Sequence, residues 1–381
     1  MATYCPNCSG NLLYSPSRHA MYCRMCGGTF APEEVGESER SSTTYECNIY
    51  SCPSCGGTIA VTGTEVSTSC VYCGNTTIIF DRISTNQKPD GLIPFSITQK
   101  EAVNIVEKHM AGAALLPKDV DDVKIENMKG IYIPYWVVSG KFYDSMTLYD
   151  EVGNSGSDSS HPRYYGRAGF CDVLNVPVEA VSSINDKFSN KIEPFNIDDV
   201  VEFDEDYLMG FYSDIPDVTA DDLSDAVGKK ADEMFGNLMC ETLYGQKKHV
   251  LQSKHWTKLY DDHLMLFFPV WFYTFVYKDK PYTLLINGQT GKIAGTLPWK
   301  KRSLKRDGVI LASLMSILLI APFVIFDWLV TLESTATIVV IGFFLTLVFW
   351  LIGFITSLSV KENAEMTQEG SVFDFVNERK G

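Results

Sequence analysis

The stretch that decides the fold reads Cys5-Pro-Asn-Cys8, Cys23-Arg-Met-Cys26, Cys52-Pro-Ser-Cys55 and Cys70-Val-Tyr-Cys73. Within each half, fourteen residues separate the two Cys-x-x-Cys pairs, and the second half repeats the first 47 positions later. Two such knuckles bring four thiolates around one tetrahedral metal ion. The pattern therefore predicts two zinc ions, one bound by Cys5, Cys8, Cys23 and Cys26 and the other by Cys52, Cys55, Cys70 and Cys73. Redox disulfides and rubredoxin-like iron are the alternatives for this spacing.

The composition limits the cellular compartments and the classes of partner that fit this chain. The chain has 381 residues, enough for two or three domains, and carries 32 basic against 47 acidic residues for a net charge of −15. So acidic a chain repels nucleic acid unless it segregates a basic face. Eight of the eleven cysteines stand at metal spacing, which favours a reducing compartment. The other three, Cys47, Cys171 and Cys240, are interpreted as buried free thiols.

Outward from the cysteines, the predicted fold class is multidomain. Two small β zinc ribbons occupy residues 1–30 and 47–80, and an acidic linker joins them at residues 31–46. A cytoplasmic α+β domain with a duplicated helix-plus-strands unit follows at residues 91–298. The ribbons offer no basic face, which weighs against nucleic-acid binding by them.

The duplication in the α+β domain rests on matched features of the two units. A capping box, Thr98-x-x-Glu101 in the first unit and Thr219-x-x-Asp222 in the second, predicts the start of an amphipathic helix. The predicted apolar faces are Val103, Val106 and Met110 in the first helix and Leu223, Val227, Met234 and Leu238 in the second. An aromatic strand follows each helix, with Pro134 and Pro269 at matching positions 135 residues apart. Proline inside a strand predicts an edge position or a bulge.

Residues 193–233 concentrate acidic side chains, with fourteen Asp or Glu against Lys229 and Lys230. A solvated acidic face is one interpretation of this segment, and a docking surface for a basic partner is the other. The sequence leaves both open.

The C-terminal region contains two long apolar runs, at residues 309–330 and 338–360. Their lengths of 22 and 23 residues match the thickness of a bilayer, so the sequence predicts a two-helix transmembrane hairpin. Basic residues cluster before the first run, at positions 300–306. The positive-inside rule then predicts a plasma-membrane protein with two spans, both termini cytoplasmic and a cytoplasmic tail at residues 361–381.

The sequence shows no constellation of catalytic residues, and the chain is predicted not to be an enzyme. It has no G-x-S-x-G elbow, P-loop, H-E-x-x-H or kinase signature. The six histidines are scattered, and the closest group, His249, His255 and His263, does not share one side of a helix. We therefore interpret them as surface or core histidines rather than ligands.

Several motifs together carry a resemblance. The paired Cys-Pro-x-Cys ribbons, Ile93-Pro-Phe95 before a helix, Tyr132-Ile-Pro-Tyr-Trp136, Asn287-Gly-Gln-Thr-Gly-Lys292 and the terminal hairpin resemble a family of bacterial membrane-anchored proteins with tandem transcription factor IIB-type zinc ribbons. One departure is Ser9, where such ribbons usually repeat the glycine seen at Gly56. The resemblance implies an adaptor linked to phage-shock and envelope-stress complexes, with phage-shock protein A-like or flotillin-like partners.

The function expected from the sequence is that of a non-enzymatic, membrane-anchored zinc-ribbon adaptor that presents cytoplasmic docking surfaces. Its expected partners are the bilayer and other proteins rather than nucleic acid, and self-association is left open. Two alternatives remain: a membrane-tethered regulator that binds nucleic acid through the ribbons, and a redox or metal-handling protein. Metal analysis and a salt-dependent mobility shift would separate these three hypotheses.

Overall fold

A computed structural model of the chain describes two sheets within residues 3–35, 43–62, 70–113, 116–150, 163–181, 190–219, 223–243, 248–278 and 280–298. The small sheet has three antiparallel strands in the order β1-β2-β3. These are β1 (Leu12–Ser15), β2 (Ala20–Cys23) and β3 (Thr29–Phe30), and the one-turn helix α1 (Pro32–Val35) follows them. This sheet and the first two cysteine pairs form one compact unit, here called ribbon 1 (residues 3–30).

The large sheet has twelve strands and contains most of the described chain. Its strands are β4 (Thr44–Ser51), β5 (Thr58–Val61), β6 (Ile79–Gln87), β7 (Gly91–Leu92), β8 (Met128–Asp150), β9 (Arg163–Glu179), β10 (Val201–Glu202), β11 (Tyr212–Ser213), β12 (Lys248–Leu259), β13 (Leu264–Tyr277), β14 (Lys280–Asn287) and β15 (Ile293–Gly295). The main path runs β10-β7-β13-β8-β11-β5-β4-β6. β9 and β12 flank the distal half of β8, and β14, followed by β15, flanks β13.

Two similar units face each other across the centre of this sheet. Each contains a short strand, an Ile-Pro dipeptide, a helix, a long strand and a strand that returns beside it, and the second unit has β12 between its helix and its long strand. In the first unit these elements are β7, α2 (Gln99–Gly112), β8 and β9, and in the second they are β11, α3 (Leu223–Glu241), β13 and β14. The long strands β8 and β13 pair antiparallel, with Phe267 opposite Pro134 and Pro269 opposite Tyr132. The two units are therefore related by an approximate two-fold axis.

Pro134 and Pro269 lie in these two central strands, which corrects the predicted edge or bulge position. Each proline stands where its strand changes neighbour, from β11 to β9 along β8 and from β7 to β14 along β13. The carbonyls of Pro134 and Pro269 accept hydrogen bonds from Ala180 and Gly288 on that side, at 2.9 and 2.8 Å. Because the N–H and C=O of a strand residue point to the same side, the missing N–H faces the gap. No hydrogen bond between paired strands is lost there.

The core covers both faces of the central strands. Along β8, Tyr132 packs with α2 and ribbon 1, whereas Ile131 and Ile133 pack with the second pair of cysteine knuckles. Along β13, Phe267 packs on the side of α2 and ribbon 1, and Phe268 packs on the side of the second pair of knuckles. Continuous apolar runs in these strands are what a sheet buried on both faces requires.

The helices agree with the sequence in one unit and differ in the other. The capping box of α2 is confirmed, because Thr98 and Glu101 bond reciprocally and Val103, Val106 and Met110 are buried. In α3, Leu223 and Val227 are buried as predicted, but Met234 and Leu238 are 69% and 55% exposed. The buried face continues instead through Ala231 and Phe235. The i, i+4 spacing 223-227-231-235 defines that face, so the prediction was wrong for the second half of the helix.

The predicted fold class needs correction. The described residues form mainly β-sheet with three α-helices, and the strands of the second ribbon belong to the same large sheet as the α+β domain. The longest helix, α3, has 19 residues and carries charges along its length. No helix among the described residues is long and apolar enough to cross a membrane.

That finding also corrects the predicted transmembrane hairpin and plasma-membrane location. A bilayer span requires about 20 predominantly apolar helical residues, and α2 and α3 are polar on one side. The predicted spans at residues 309–330 and 338–360, and the tail at residues 361–381, lie outside the described residues.

Candidate metal centres and docking surface

The four Cys-x-x-Cys turns share one backbone geometry. In the first turn the N–H of Cys5 donates to the carbonyl of Gly10 at 2.7 Å, and the N–H of Ser9 donates to the carbonyl of Cys5 at 2.8 Å. The same pair of bonds recurs at Cys23 with Gly28 and Gly27, at Cys52 with Gly57 and Gly56, and at Cys70 with Asn75 and Gly74. These bonds fold each turn tightly, which brings its two sulfur atoms together.

The residue after the second cysteine of each turn has a positive φ. The angle is 56° at Ser9, 76° at Gly27, 72° at Gly56 and 71° at Gly74. Glycine adopts this conformation freely, whereas a residue with a Cβ atom does so at a cost of about 1 kcal/mol or more. Glycine at three of the four positions therefore follows from the turn geometry, and Ser9 is strained.

The turns combine into two clusters of four cysteines. In the first, sulfur–sulfur distances of 3.5 Å join Cys5 to Cys26 and Cys8 to Cys23. In the second, the Cys52–Cys73 and Cys55–Cys70 distances are 3.6 and 3.7 Å. All four sulfurs of each cluster lie within 4.8 Å of one another. A tetrahedron with metal–sulfur bonds of about 2.3 Å has edges of about 3.8 Å, so each cluster could hold one metal ion.

The first centre lies at the surface of the molecule. Cys5 and Cys23 are buried, but Cys8 and Cys26 are exposed. The body of the protein holds ribbon 1 on one side through a hydrogen bond from the N–H of Tyr14 to the carbonyl of Met209, at 3.1 Å. The ring of Tyr14 also lies 5.0 Å from that of Tyr207. The metal-binding edge of ribbon 1 therefore stays open to solvent.

The second centre is built into the body. All four of its cysteines are at most 9% exposed. Between its last two cysteines, the hydroxyl of Tyr72 donates to Asp214 at 2.6 Å, and the carbonyl of Val71 accepts from Thr274 at 2.9 Å. Tyr72 also packs edge-on against Phe272 at 5.6 Å. These contacts tie the second knuckle to the central strands and make the centre part of the core.

The electrostatics of the cysteines favour a cation in both clusters. In the first cluster, hydrogen bonds from the backbone amides of Cys26 and Met25 lower the pKa of the Cys23 thiol to about 7. In the second, hydrogen bonds with Cys55 and Cys70 lower the pKa of Cys73, whereas those with Cys55 and Cys73, together with burial, raise the pKa of Cys70. Without a cation, one sulfur takes the negative charge while its neighbour keeps a proton. A bound metal ion would release that proton.

A polar group between β8, β12 and α3 was not recognised from the sequence. Ser253 donates to Asp232 at 2.7 Å and lies 3.2 Å from both carboxylate oxygens of Asp144. The Nδ1 atom of His255 lies 3.4 Å from Asp232 and 3.5 Å from the hydroxyl of Ser253. A catalytic relay needs the histidine to contact the serine and the carboxylate through different nitrogens. Here one nitrogen faces both, so the group anchors α3 on the sheet.

The three remaining cysteines are dispersed. Cys47 is buried, and its burial raises the pKa of the thiol to about 11, while the side-chain amide of Asn86 donates to its sulfur at 3.0 Å. Cys171 and Cys240 are half-buried beside the core under α3. All three are free thiols as predicted, but the predicted full burial is confirmed for Cys47 alone.

The acidic segment at residues 193–233 is not a uniform solvated face. Asp206 and Asp214 are 2% and 3% exposed. Glu193 pairs with Lys230 at 2.9 Å, and Glu205 faces Lys88 at 3.8 Å. Several of these carboxylates therefore serve internal contacts, which neither interpretation from the sequence had included.

Beyond the metal centres, an aromatic ridge formed by Tyr143, Phe170 and Trp256 crosses the open face of the sheet made by β9, β8 and β12. Tyr143 is paired with Phe170 on one side and with Trp256 on the other. The Tyr143 and Trp256 rings are stacked at 4.1 Å with an angle of 3° between their planes, and Phe170 lies 5.9 Å from Tyr143. Phe170 is 63% exposed and Trp256 56%. The opposite face of these strands is buried under α3.

Lysines surround the aromatic ridge. Lys141 lies over the ring of Phe170, with its nitrogen 5.4 Å from the centroid, and faces Asp172 at 3.7 Å. Lys258 stands opposite Lys141 in the β8–β12 register, and Lys254 is placed two residues from Trp256 on the same side of its strand. This face is apolar at its centre and mostly cationic around it, on a chain whose net charge is −15.

No family model matches the chain, and no solved structure matches it. Among curated proteins, it is 24% identical over 304 residues to "Uncharacterized protein YdjG" of Bacillus subtilis (strain 168). That match covers 77% of this chain and 89% of the relative. The likeness extends well beyond the ribbons, but the relative's name states no activity.

Proposed function

We propose that the chain is a non-enzymatic adaptor with two structural zinc centres and a protein-docking surface on its large sheet. The aromatic ridge carries this proposal. Contiguous patches of exposed apolar side chains on a folded protein mark interaction sites, and Trp and Tyr are enriched at the energetic centres of interfaces. The group of Ser253, His255 and Asp232 lacks relay geometry, so it gives no support to an enzymatic role.

Zinc is the metal that we propose for both centres. Four thiolates in a tetrahedron are the usual ligand set of a structural zinc ion. The same set also suits iron, so metal analysis of the purified full chain is the deciding measurement. We expect two zinc ions per chain. Iron in either centre, or thiols that cycle with an oxidant, would contradict the proposal and favour the redox or metal-handling alternative.

The class of partner follows from the surface and from the resemblance. A ridge with three lysines around it, Lys141, Lys254 and Lys258, suits a partner with apolar side chains and acidic groups. The resemblance supports phage-shock protein A-like or flotillin-like proteins as candidates. Neither centre needs to touch the partner, because their role in this proposal is to hold ribbon 1 and the large sheet in shape.

Co-purification with a defined partner tests the adaptor function. The full chain would be co-expressed with a phage-shock protein A-like protein from the same genome and recovered through an affinity tag. We expect stable co-purification, and at least a tenfold loss of bound partner for Trp256→Ser and for Phe170→Ser, since interface hot spots contribute about 2 kcal/mol or more.

The control for this experiment is Ile83→Ser on β6, which removes a side chain that is 65% exposed and remote from the ridge. It should leave binding unchanged, and all variants should unfold at the temperature of the wild type. Equal recovery of partner with the ridge variants and with wild type would contradict docking at the ridge.

Nucleic acid is the second candidate, because exposed aromatic rings among lysines are also the means by which proteins hold single strands. The stacking of Tyr143 on Trp256 argues against it, since these two rings already cover one face of each other. Binding of a single-stranded oligonucleotide that weakens with salt and requires Trp256 would favour this candidate over the adaptor.

A further inference from the structure

A cleft of about 500 Å³ lies where ribbon 1 meets the body. One wall comes from β1, β2 and the turn after β2, and the other from the first turn of α2 and the start of β8. Its apolar lining includes Leu13, Met128 and Trp271. The cleft is separate from the aromatic ridge, and none of the eight clustered cysteines lines it.

Three cationic side chains line this cleft, and no acidic residue does. They are Arg24 in the turn after β2, Lys100 in α2 and Lys129 in β8. None of the three forms an ion pair with a residue that the structure describes, whereas Lys88, Lys230 and Lys278 each face a carboxylate within 4 Å. Acidic residues outnumber basic ones in this chain by 47 to 32. Three cations without an ion pair to a described residue therefore give this cleft a positive charge that an anionic ligand would neutralise.

The helix end does not supply the anion site. The first turn of α2 is already capped, because Thr98 accepts from the N–H of Glu101 and the carboxylate of Glu101 accepts from the N–H of Thr98. The attraction for an anion comes from the three side chains alone. They stand on three different elements at an open rim, which suits several separate carboxylates better than a single phosphate group.

We propose that this cleft binds an acidic peptide segment of a partner protein, with an apolar side chain on its floor and carboxylates at Arg24, Lys100 and Lys129. The proposal deepens the adaptor function by naming the chemistry of one partner, but it rests on residues distinct from the ridge. Charge complementarity selects the occupant: a carboxylate-rich segment gains three ion pairs here and is repelled by most of the remaining surface.

The position of Arg24 couples the cleft to the first metal centre. Arg24 lies between the ligands Cys23 and Cys26, so the fold of that knuckle determines where its guanidinium points. Cys23→Ser should therefore weaken binding of the acidic segment, because metal binding supplies the folding energy of such a ribbon. Cys23→Ser should leave partner binding at the ridge and the metal content of the second centre unchanged.

Fluorescence anisotropy with the zinc-loaded full chain tests the proposal. The probe is a fluorescein-labelled peptide in which Asp and Glu alternate with Leu. We expect saturable binding that weakens as salt rises. The Kd should rise about threefold for Lys100→Ala or Lys129→Ala and about tenfold for the double variant. The matched control, Lys108→Ala, removes an exposed lysine from the same helix outside the cleft and should change nothing.

Three outcomes would overturn the proposal. The first is the absence of saturable binding, and the second is an equal loss with Lys108→Ala and with the cleft variants. The third is displacement of the peptide by inorganic phosphate or a single-stranded oligonucleotide at lower concentration than by unlabelled peptide, which would make the cleft a phosphate site. Trp256→Ala should leave peptide binding intact. Failure of the proposed docking at the ridge can therefore be distinguished from failure of peptide binding at the cleft.

Discussion

At the scale of single residues, the turns around the cysteines show the free-energy cost of a Cβ atom at a position with a positive φ. Ser9 and Gly27 occupy the same place in their turns and have φ of 56° and 76°. A Cβ atom added at Gly27 would meet no other atom within 4 Å. The two positions therefore share one backbone conformation, and packing does not limit a side chain at Gly27, which makes Ser9 and Gly27 a matched pair for measuring the cost of a positive φ.

We predict that Ser9→Gly stabilises the metal-loaded chain by about 0.5–1 kcal/mol and that Gly27→Ser destabilises it by about 1 kcal/mol. Chemical unfolding at fixed zinc concentration measures both changes. Opposite signs are the essential result. If Gly27→Ser proved neutral, φ strain at this position would not be the reason for glycine.

Asp206 predicts a dependence of stability on pH. It is 2% exposed, and burial raises its pKa to about 6 from the ordinary 3.8, although Thr3 donates to it. A raised pKa means that the folded state favours the protonated acid. The stabilising contribution is complete below the unfolded pKa and is lost as pH rises through about 6.

Asp206→Asn should remove that loss. We expect the variant to match the wild type near pH 4 and to exceed it by about 1–3 kcal/mol near pH 8, as measured by urea unfolding. Metal release at low pH affects both chains equally and cancels in the difference. A variant that gave the same difference from wild type at both pH values would show that Asp206 is not held protonated.

At the scale of elements, local signals in the sequence were reliable and long-range ones were not. The capping box fixed the start of α2, because Thr98 and Glu101 act within one turn. The buried face of α3 was misjudged, since Met234 and Leu238 are apolar but exposed. Only the strands beneath α3 decide which side it buries. The positions of Pro134 and Pro269 were missed for the same reason, because a change of neighbouring strand leaves no local trace.

Gly140 marks a place where β8 and β12 approach closely. A Cβ atom there would lie 2.6 Å from the carbonyl oxygen of Lys258 and 3.0 Å from the Cα atom of Leu259, both in the backbone of β12. Backbone atoms cannot move aside as a side chain can. We predict that Gly140→Ala destabilises the chain by about 2 kcal/mol or more.

Gly166→Ala on β9 is the control, because a Cβ atom there would meet nothing within 4 Å. It should shift stability by no more than about 0.5 kcal/mol in either direction. Thermal unfolding of the two variants side by side checks the pair. A mild effect at Gly140 would mean that the two strands separate at little cost.

At the scale of the whole molecule, the two metal centres differ in what depends on them. Loss of one ligand should unfold the element that the metal organises, since metal binding contributes about 10–16 kcal/mol to such sites. The first centre organises ribbon 1 alone. The second is joined to the central strands through Tyr72 and Val71.

We therefore predict that Cys23→Ser costs one zinc ion and the structure of ribbon 1, while Cys70→Ser also lowers the melting temperature of the body. Metal content, together with the fluorescence of the six tryptophans, measures both effects. Similar melting curves for the two variants would contradict the distinction. Unchanged metal content in both would refute the assignment of the cysteines as ligands.

The sequence allowed the two cysteine clusters to be predicted but not their different surroundings. Spacing within the chain determines which sulfurs can meet, and the predicted ligands do come together in two groups of four. That Val71 and Tyr72 would enter the core depends on β8 and β13, which lie more than fifty residues away. The ridge was equally hidden, because Tyr143, Phe170 and Trp256 become neighbours only through strand pairing.

The approximate two-fold pairing of β8 with β13 has a consequence for ancestry. Each unit alone would leave the inner edge of its long strand without a partner, and an open edge of that kind recruits another chain. A half-length forerunner could cover that edge with a second copy of itself, using the same antiparallel register. The present chain is thus equivalent to a homodimer whose subunits have been joined, after which the long hairpin of the first half and β12 of the second could form the aromatic ridge together.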